Sequence, residues 1–141
     1  MPVNFFTEDI SFSLKEKRKR KAWLKQLAQA EDNKIADLNY VFCSDEYLHN
    51  INVEYLDHNT YTDIITFDNS DEEGTIEGDV FISIERVKEN AETLKIQLEK
   101  ELSRVISHGL FHLLGYKDKS KTEASLMRSK EDFAINLFDE I

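Results

Sequence analysis

Four short runs rich in β-branched and aromatic residues punctuate the chain, and each of them predicts a β-strand. We expect these strands over residues 4–6, 38–43, 63–67 and 79–83. The third run, DIITF, is apolar enough to predict a strand that is buried on both faces. A polar turn separates it from the fourth run, so these two strands should form an antiparallel hairpin with a loop longer than the tightest turns.

Apolar residues at helical spacing fill most of the chain between these runs. Ser13 and Glu16 have the S-x-x-E form of a capping box, which predicts that a helix begins there and continues to the sequence AQAE. Ser44 is typical of the residue that caps a helix, here the segment DEYLHNINVEYL. Two further helices are expected over about residues 83–98 and 97–114.

A second capping box, formed by Ser120 and Glu123, predicts a C-terminal helix. We expect the apolar face of this helix to contain Leu126, Phe133, Leu137 and Phe138. The resulting order, β-α-β-α-β-β-α-α-α, predicts an α+β (α/β layered) fold with a single mixed sheet of about four strands covered by helices.

Length and composition favour a single globular domain without a membrane span or a disulfide bond. The length of 141 residues predicts one domain over 1–141, and four glycines with one proline make long flexible linkers improbable. No apolar run approaches the roughly 20 residues of a membrane span, and the N-terminus has no signal-peptide pattern. The single cysteine, Cys43, favours a reducing, cytoplasmic setting and is expected to be a small buried hydrophobic residue.

The formal net charge of −10 argues against nucleic-acid binding by the whole surface, since phosphates repel an acidic protein. The charge is unevenly spread, however, and residues 15–21 hold six cations and one anion. This segment could bind RNA phosphates, or it could be a solvated helix face that offsets the acidic remainder. The candidate RNA contacts in and beside it are Lys15, Lys17, Arg18, Lys19, Arg20, Lys21 and Lys25.

Candidate chemistry is concentrated in the segment SHGLFHLLGYKDKS. His108 and His112 are four residues apart, so both should project from one face of a helix and could bind one metal ion. Gly115 is placed to end that helix, and the turn could bring Asp118 back towards the histidines. Two imidazoles and a carboxylate make a three-ligand zinc site with a fourth position open for water. The alternative is that both histidines are ordinary hydrogen-bonded or surface residues.

The same spacing also matches the zinc motif of the metzincin proteases, H-E-x-x-H-x-x-G-x-x-H. In that motif the glutamate after the first histidine is the general base, and this position is Gly109 here. Without the carboxylate, peptide hydrolysis lacks its proton acceptor, so a protease is disfavoured. Glycine there would instead allow another element or the substrate to approach the metal closely.

The window HGLFHLLGYKD resembles the signature of the YbeY family of metal-dependent endoribonucleases, the bacterial ribosomal RNA maturation factors. Its usual form is H-G-x-L-H-L-x-G-Y-D-H. Two upstream blocks, INVEYLDHNTYTDIITF (51–67) and GDVFIS (78–83), resemble further family blocks in the right order. The resemblance therefore covers about residues 38–118.

This resemblance implies a zincin-like metal helix with one Zn²⁺ per chain, bound by His108, His112 and Asp118. Asp118 stands where the family usually has its third histidine, and Lys117 stands where it usually has aspartate. The arginine that the family places after the tyrosine of the upstream helix is Leu56 here. Lys117 and Arg104 are candidates to supply the missing cation, although solvated surface roles are the alternative for both.

The function implied is a cytoplasmic, zinc-dependent endoribonuclease specific for single-stranded RNA. It would act in ribosomal RNA processing, notably 3′-end maturation of the small-subunit RNA, and in ribosome quality control, with the small subunit or assembly factors as partners. Catalysis would run through water bound to the metal of His108, His112 and Asp118. A non-catalytic ribosome-assembly factor with a structural zinc is the main alternative, and a zinc peptidase is a weaker one.

Overall fold

The computed structural model describes residues 2–57 and 62–141. The elements found there, in chain order, are β1 (Val3–Thr7), α1 (Lys17–Ala30), β2 (Lys34–Cys43), α2 (Asp45–Leu56), β3 (Ile64–Asp68), β4 (Thr75–Ser83), α3 (Ile84–Leu94), α4 (Leu98–Leu113) and α5 (Lys121–Glu140). This is the order that the hydrophobic pattern predicts. Among the described helices, none combines the length and the hydrophobicity that a membrane span requires.

The strands form one mixed four-stranded sheet with the order β1-β2-β4-β3. Strands β1, β2 and β4 run parallel, and β3 pairs antiparallel to β4 from Ile64↔Ile82 to Asp68↔Gly78. The predicted hairpin and the mixed layered class are therefore confirmed. Strand β3 lies at the edge of the sheet, and Ile65 is its one fully buried residue. The prediction that this strand is buried on both faces is wrong, because Ile64 and Thr66, whose side chains point to the face opposite Ile65, are only half-buried.

Helix α4 packs across β4 and the edge strand β3. Leu102, Ile106 and Leu110 on this helix have no exposed surface, as expected for a helix that is apolar around most of its circumference. The hydroxyl of Tyr40 on β2 donates a 2.9 Å hydrogen bond to the carbonyl of Ile106, which fixes the height of the helix over the strands. These contacts hold α4 against the sheet, and the histidines follow Ile106 on the same helix.

Gly109 lies where α4 approaches the sheet closely. A Cβ atom at this position would lie 2.9 Å from Cγ1 of Val80 and 3.2 Å from Cδ1 of Ile64. The element that glycine allows to come close is therefore the sheet itself. A larger residue would push α4 away from β4 and displace the histidines on either side of it.

Two predictions about the helices need correction. No capping box forms at Ser13, because Leu14 is buried in the core and the chain enters α1 through Glu16, which has φ 56° and no side-chain cap. On α5, Leu126 and Phe133 are 48% and 55% exposed, so they do not belong to its buried face. That face consists of Met127, Glu131, Ala134, Ile135 and Phe138. A buried glutamate occupies the middle of it, so the apolar pattern alone places the face incorrectly.

Candidate metal centre and the cavity beside it

The two histidines of α4 lie side by side at the C-terminal end of the helix. Their ring centroids are 4.5 Å apart and the ring planes are nearly perpendicular. The side chains are 19% (His108) and 27% (His112) exposed, so both rings sit in a partly enclosed setting that still communicates with solvent. The predicted common face of one helix is confirmed.

Helix α4 ends in a Schellman motif that turns the chain back on itself. Gly115 has φ 104°, its N–H donates to the carbonyl of His112, and the N–H of Tyr116 donates to the carbonyl of Phe111. The Tyr116 ring packs on Phe111 at 5.9 Å between centroids, and its hydroxyl donates to Glu31 at 2.8 Å. The helix end that Gly115 predicts is confirmed. The turn after it is stabilised by two backbone hydrogen bonds and by the side-chain contacts of Tyr116.

This turn brings Asp118 to the two histidines. Oδ2 of Asp118 lies 3.3 Å from Nε2 of His108 and 3.5 Å from Nε2 of His112. Both separations are longer than the usual 2.9–3.0 Å of an N–H···O hydrogen bond. Donor atoms around a tetrahedral metal ion with bonds of about 2.0–2.2 Å lie about 3.4 Å apart. One donor atom from each of the three residues lies within 4.8 Å of the others, so the group fits a single metal ion.

A fourth residue, Glu131 on α5, fixes the orientation of His108. The ring donates its Nδ1–H to Oε2 of Glu131 at 2.6 Å, and the Glu131 side chain is only 6% exposed. Arg104 donates to the other carboxylate oxygen of Glu131 at 3.3 Å. Because Nδ1 is occupied, Nε2 of His108 is the nitrogen left to face the donor cluster. The sequence pattern does not single out Glu131, whose one signal is a charged residue within the otherwise apolar buried face of α5.

The surroundings of the two imidazoles shift their pKa values in opposite directions. Burial lowers the pKa of His108, but the hydrogen bond to Glu131 and the charges of Glu131 and Asp118 outweigh it, so that this pKa is raised. Burial and the neighbouring charge of His108 lower the pKa of His112, against the influence of Asp118. The carboxylates therefore favour positive charge at His108, which either a proton or a metal ion can supply.

A cavity of about 400 Å³ opens beside this cluster. His108, Asp118 and Glu131 form one end of it, and its other walls come from α3, α4, α5 and the residues that begin β3. The donor atoms thus lie at the edge of a space that a ligand can enter. Asp118 is the most exposed of the three candidate metal ligands, with 39% of its side chain exposed.

The structure separates the predicted basic residues into different environments. Arg20 is fully buried, where it donates to Glu99 at 2.7 Å and to Ser103 at 3.2 Å. It therefore cannot be a surface contact for RNA, and the prediction that Arg20 binds RNA phosphates is wrong. Nζ of Lys19 lies 4.2 Å from the ring centroid of Phe138.

The other predicted cations remain at the surface or half-buried. Lys15 and Lys17 are exposed at the start of α1, and Lys117 is exposed on the turn after α4. Arg18, Lys21 and Lys25 line a groove of about 560 Å³ together with Lys34 of β2. This groove, defined by its four cations, lies between α1 and the β1–β2 end of the sheet, whereas the candidate metal ligands face the side that carries β3.

Of the two cations expected to replace the missing arginine, Arg104 is already engaged. Its guanidinium lies 3.4 Å from Glu101, 3.3 Å from Glu131 and 3.5 Å from Asp132. Leu56 is 40% exposed at the end of α2. Residues 58–61, which belong to one of the blocks resembling the YbeY family, lie outside the described residues.

We predict that Glu131→Gln weakens the binding of a divalent ion about ten- to a hundredfold, because the substitution removes the charge that orients and polarises His108. Titration of the metal-free protein with Co²⁺, followed by its visible absorption, measures the dissociation constant. Asp132→Asn is the matched control, since it removes the neighbouring carboxylate that also contacts Arg104. Equal affinities of the Glu131→Gln protein and the wild type would show that the hydrogen bond does not support the centre.

Comparison with known proteins identifies the family. A family model described as Endoribonuclease YbeY matches residues 3–139. Endoribonuclease YbeY of Cytophaga hutchinsonii is 52% identical over 135 residues, which are 96% of this chain and 94% of that protein. The protein of the same name from Christiangramia forsetii is 46% identical over 136 residues, with 96% and 94% covered.

Among solved structures, the solution structure of TM1509 from Thermotoga maritima aligns with a TM-score of 0.66. The alignment covers 96% of this chain and 88% of that chain at 23% identity, so it shows the fold alone. The family match over nearly the whole chain, together with the two close relatives, confirms the resemblance carried by the histidine segment. The chain belongs to the Endoribonuclease YbeY family.

Proposed function

We propose that the protein is a zinc-dependent endoribonuclease that cleaves single-stranded RNA. Its role would lie in ribosomal RNA processing, including 3′-end maturation of the small-subunit RNA, and in ribosome quality control. The observation that carries the proposal is the convergence of His108, His112 and Asp118 beside a cavity that His108 and Asp118 help to line, in a chain whose close relatives are named endoribonucleases.

The donor set suits one zinc ion in a catalytic rather than a structural site. Structural zinc sites are closed by four protein ligands, whereas catalytic sites have three and keep an open position. Within residues 2–57 and 62–141, the cluster that could hold a metal ion has three members, two imidazoles and one carboxylate. A zinc ion bound there would lower the pKa of a water ligand to about 7 and would neutralise charge on the phosphoryl group.

The protein's own residues hold this site in position for RNA. Glu131 keeps Nε2 of His108 directed at the centre, and Asp118 keeps a carboxylate oxygen at the solvent side. Cleavage of a phosphodiester beside a cavity of this size requires a strand whose nucleotides can be splayed out. Single-stranded RNA meets this requirement, and a stacked duplex does not.

The structure gives a further physical argument against a zinc peptidase. A side chain at position 109 would point at Val80 and Ile64 of the sheet, and there is no room even for a methyl group. The glutamate that zinc proteases need at this place could not be accommodated without moving α4. The family's chemistry must therefore proceed without a general base at this position.

The groove formed by Arg18, Lys21, Lys25 and Lys34 is the surface that we assign to RNA phosphates remote from the metal. The exposed Lys15, Lys17 and Lys117 would add weaker, screened contacts. The small ribosomal subunit or its assembly factors would present the RNA. We place the protein in the cytoplasm, where the buried Cys43 would remain a thiol, and burial raises its pKa to about 12.

The test of the nuclease proposal is cleavage of a single-stranded oligoribonucleotide by zinc-loaded protein that has been freed of contaminating nucleases. We expect His112→Ala to lose at least about a hundredfold in cleavage rate while keeping its circular dichroism spectrum and ribosome binding, because it removes one metal ligand. Lys119→Ala, an exposed change on the same turn, is the matched control and should cleave as the wild type does.

Absence of cleavage by the zinc-loaded wild type would contradict the nuclease proposal. If His112→Ala also unfolds, the metal is structural and the protein is a non-catalytic assembly factor. Peptide turnover by the wild type, with RNA left intact, would favour the peptidase instead.

For the groove, we predict that the double variant Lys21→Gln/Lys25→Gln binds single-stranded RNA more weakly and with a smaller salt dependence. Loss of two phosphate contacts should reduce the slope of log K against log salt by about 1.4. Filter binding over a range of salt concentrations measures this slope. The control is Lys88→Gln/Lys100→Gln, which removes two exposed lysines elsewhere, and an equal effect of both variants would exclude a specific role for the groove.

A further inference from the structure

The cavity beside the candidate metal centre contains more chemistry than the three ligands account for. Four carboxylates contribute to its walls, from Asp63, Glu101, Asp118 and Glu131, and the cationic side chains there are Arg104 and Arg128. Without a metal ion the lining is therefore acidic, which is an unfavourable environment for a phosphate. A cation in this cavity that is free to meet a phosphate would strongly influence what can enter.

Arg104 cannot be that cation. It is mostly buried, with 14% of its side chain exposed, and it contacts three carboxylates between 3.3 and 3.5 Å. Its charge offsets Glu101 and Glu131 inside the protein, and removing it from them would leave buried charges unpaired. Arg104 is therefore part of the support of α4 and α5.

Arg128 is in the opposite situation. It lies on α5 three residues before Glu131, on the side of the helix that faces the cavity, and it is exposed. In the described part of the chain, no carboxylate lies within the 4.0 Å ion-pair distance of its guanidinium. Its charge reaches the cavity at longer range, since it favours the ionised form of Glu101. Arg128 thus offers a planar, two-pronged donor to a ligand in the cavity.

The wall formed by α3 complements this cation. Asn90 and Thr93 bring an amide and a hydroxyl to the cavity, and Ile64, Leu94 and Val105 provide apolar surface next to them. Leu94 is 54% exposed, so its side chain offers apolar surface to a ligand in the cavity. Apolar surface bordered by hydrogen-bonding groups suits a nucleobase, whose faces are apolar and whose edge is polar.

We propose that this cavity is a subsite for one splayed nucleotide of single-stranded RNA. Arg128 binds the phosphate next to the candidate metal centre, the base lies against the apolar wall, and Asn90 and Thr93 contact its edge. The inference rests on the proposed nuclease function and adds its substrate contacts. A volume of about 400 Å³ is within the range of small-molecule sites, so one nucleotide can be accommodated.

Arg128 could also replace the arginine that the family usually has at the position of Leu56. Leu56 does not contribute to the cavity walls among the described residues, whereas Arg128 does. The guanidinium of Arg128 would therefore come from α5, the helix that also carries Glu131. Phosphate binding and support of His108 would then depend on one helix.

The experiment compares full-length wild type, Arg128→Met, Arg128→Lys and the control Lys88→Met, which removes an exposed cation from α3 outside the cavity. Binding of cytidine 3′-monophosphate is measured by calorimetry on metal-free and zinc-loaded protein, and kcat/KM is measured on a single-stranded oligoribonucleotide. We expect Arg128→Met to lose about tenfold or more in both quantities, since a charge-assisted hydrogen bond is removed. Arg128→Lys should recover only part of the loss, because lysine cannot bind a phosphate through two parallel donors.

Equal nucleotide binding by Arg128→Met and wild type would overturn the subsite, and so would an equal loss in Lys88→Met. The outcome is separable from that of the nuclease proposal. A wild type that binds the nucleotide through Arg128 but cleaves no RNA contradicts the nuclease and leaves the subsite standing. A wild type that cleaves RNA, with Arg128→Met cleaving equally well, contradicts the subsite alone.

Discussion

The hydrogen bond between Glu131 and His108 is the constraint on which the site depends. A carboxylate buried to this extent is costly unless it is paired, and the partners of Glu131 are His108 and Arg104, both on α4. The packing of α5 on α4 and the orientation of the imidazole are therefore parts of one arrangement. A metal-binding histidine commonly uses its second nitrogen in this way, and the carboxylate also increases the basicity of the ring.

Glu131 orients His108, and the short connection between α4 and α5 positions Asp118. It begins with the Schellman motif around Gly115 and ends with the capping box of Ser120 and Glu123. Tyr116 ties the connection to the residue that follows α1 through its hydrogen bond to Glu31. Both ends of the segment are thus fixed to helices, and a carboxylate between them can be held near two imidazoles without being buried. This openness is what a site that must admit a polymer requires.

Local patterns were sufficient for much of this architecture and failed where charges pair across the fold. Element order, the β3–β4 hairpin and the helix stop at Gly115 follow from periodicity and from backbone preferences within a few residues. Arg20 and Glu131 are different, because a charged residue is expected at the surface unless a partner far away in the chain permits its burial. Arg20 meets Glu99 and Glu131 meets His108, which are 79 and 23 residues distant. No spacing rule within one helix reveals such partners.

The arrangement of α4, α5 and the turn between them predicts that His108, His112 and Asp118 hold one metal ion. A crystal structure of the zinc-loaded protein, with anomalous scattering recorded on both sides of the zinc absorption edge, tests it most directly. We expect one zinc peak about 2.0–2.2 Å from Nε2 of both histidines and from one oxygen of Asp118, with Glu131 still bonded to Nδ1. A map without zinc at these atoms, or with zinc bound by other residues, would show that the three side chains are not the metal site.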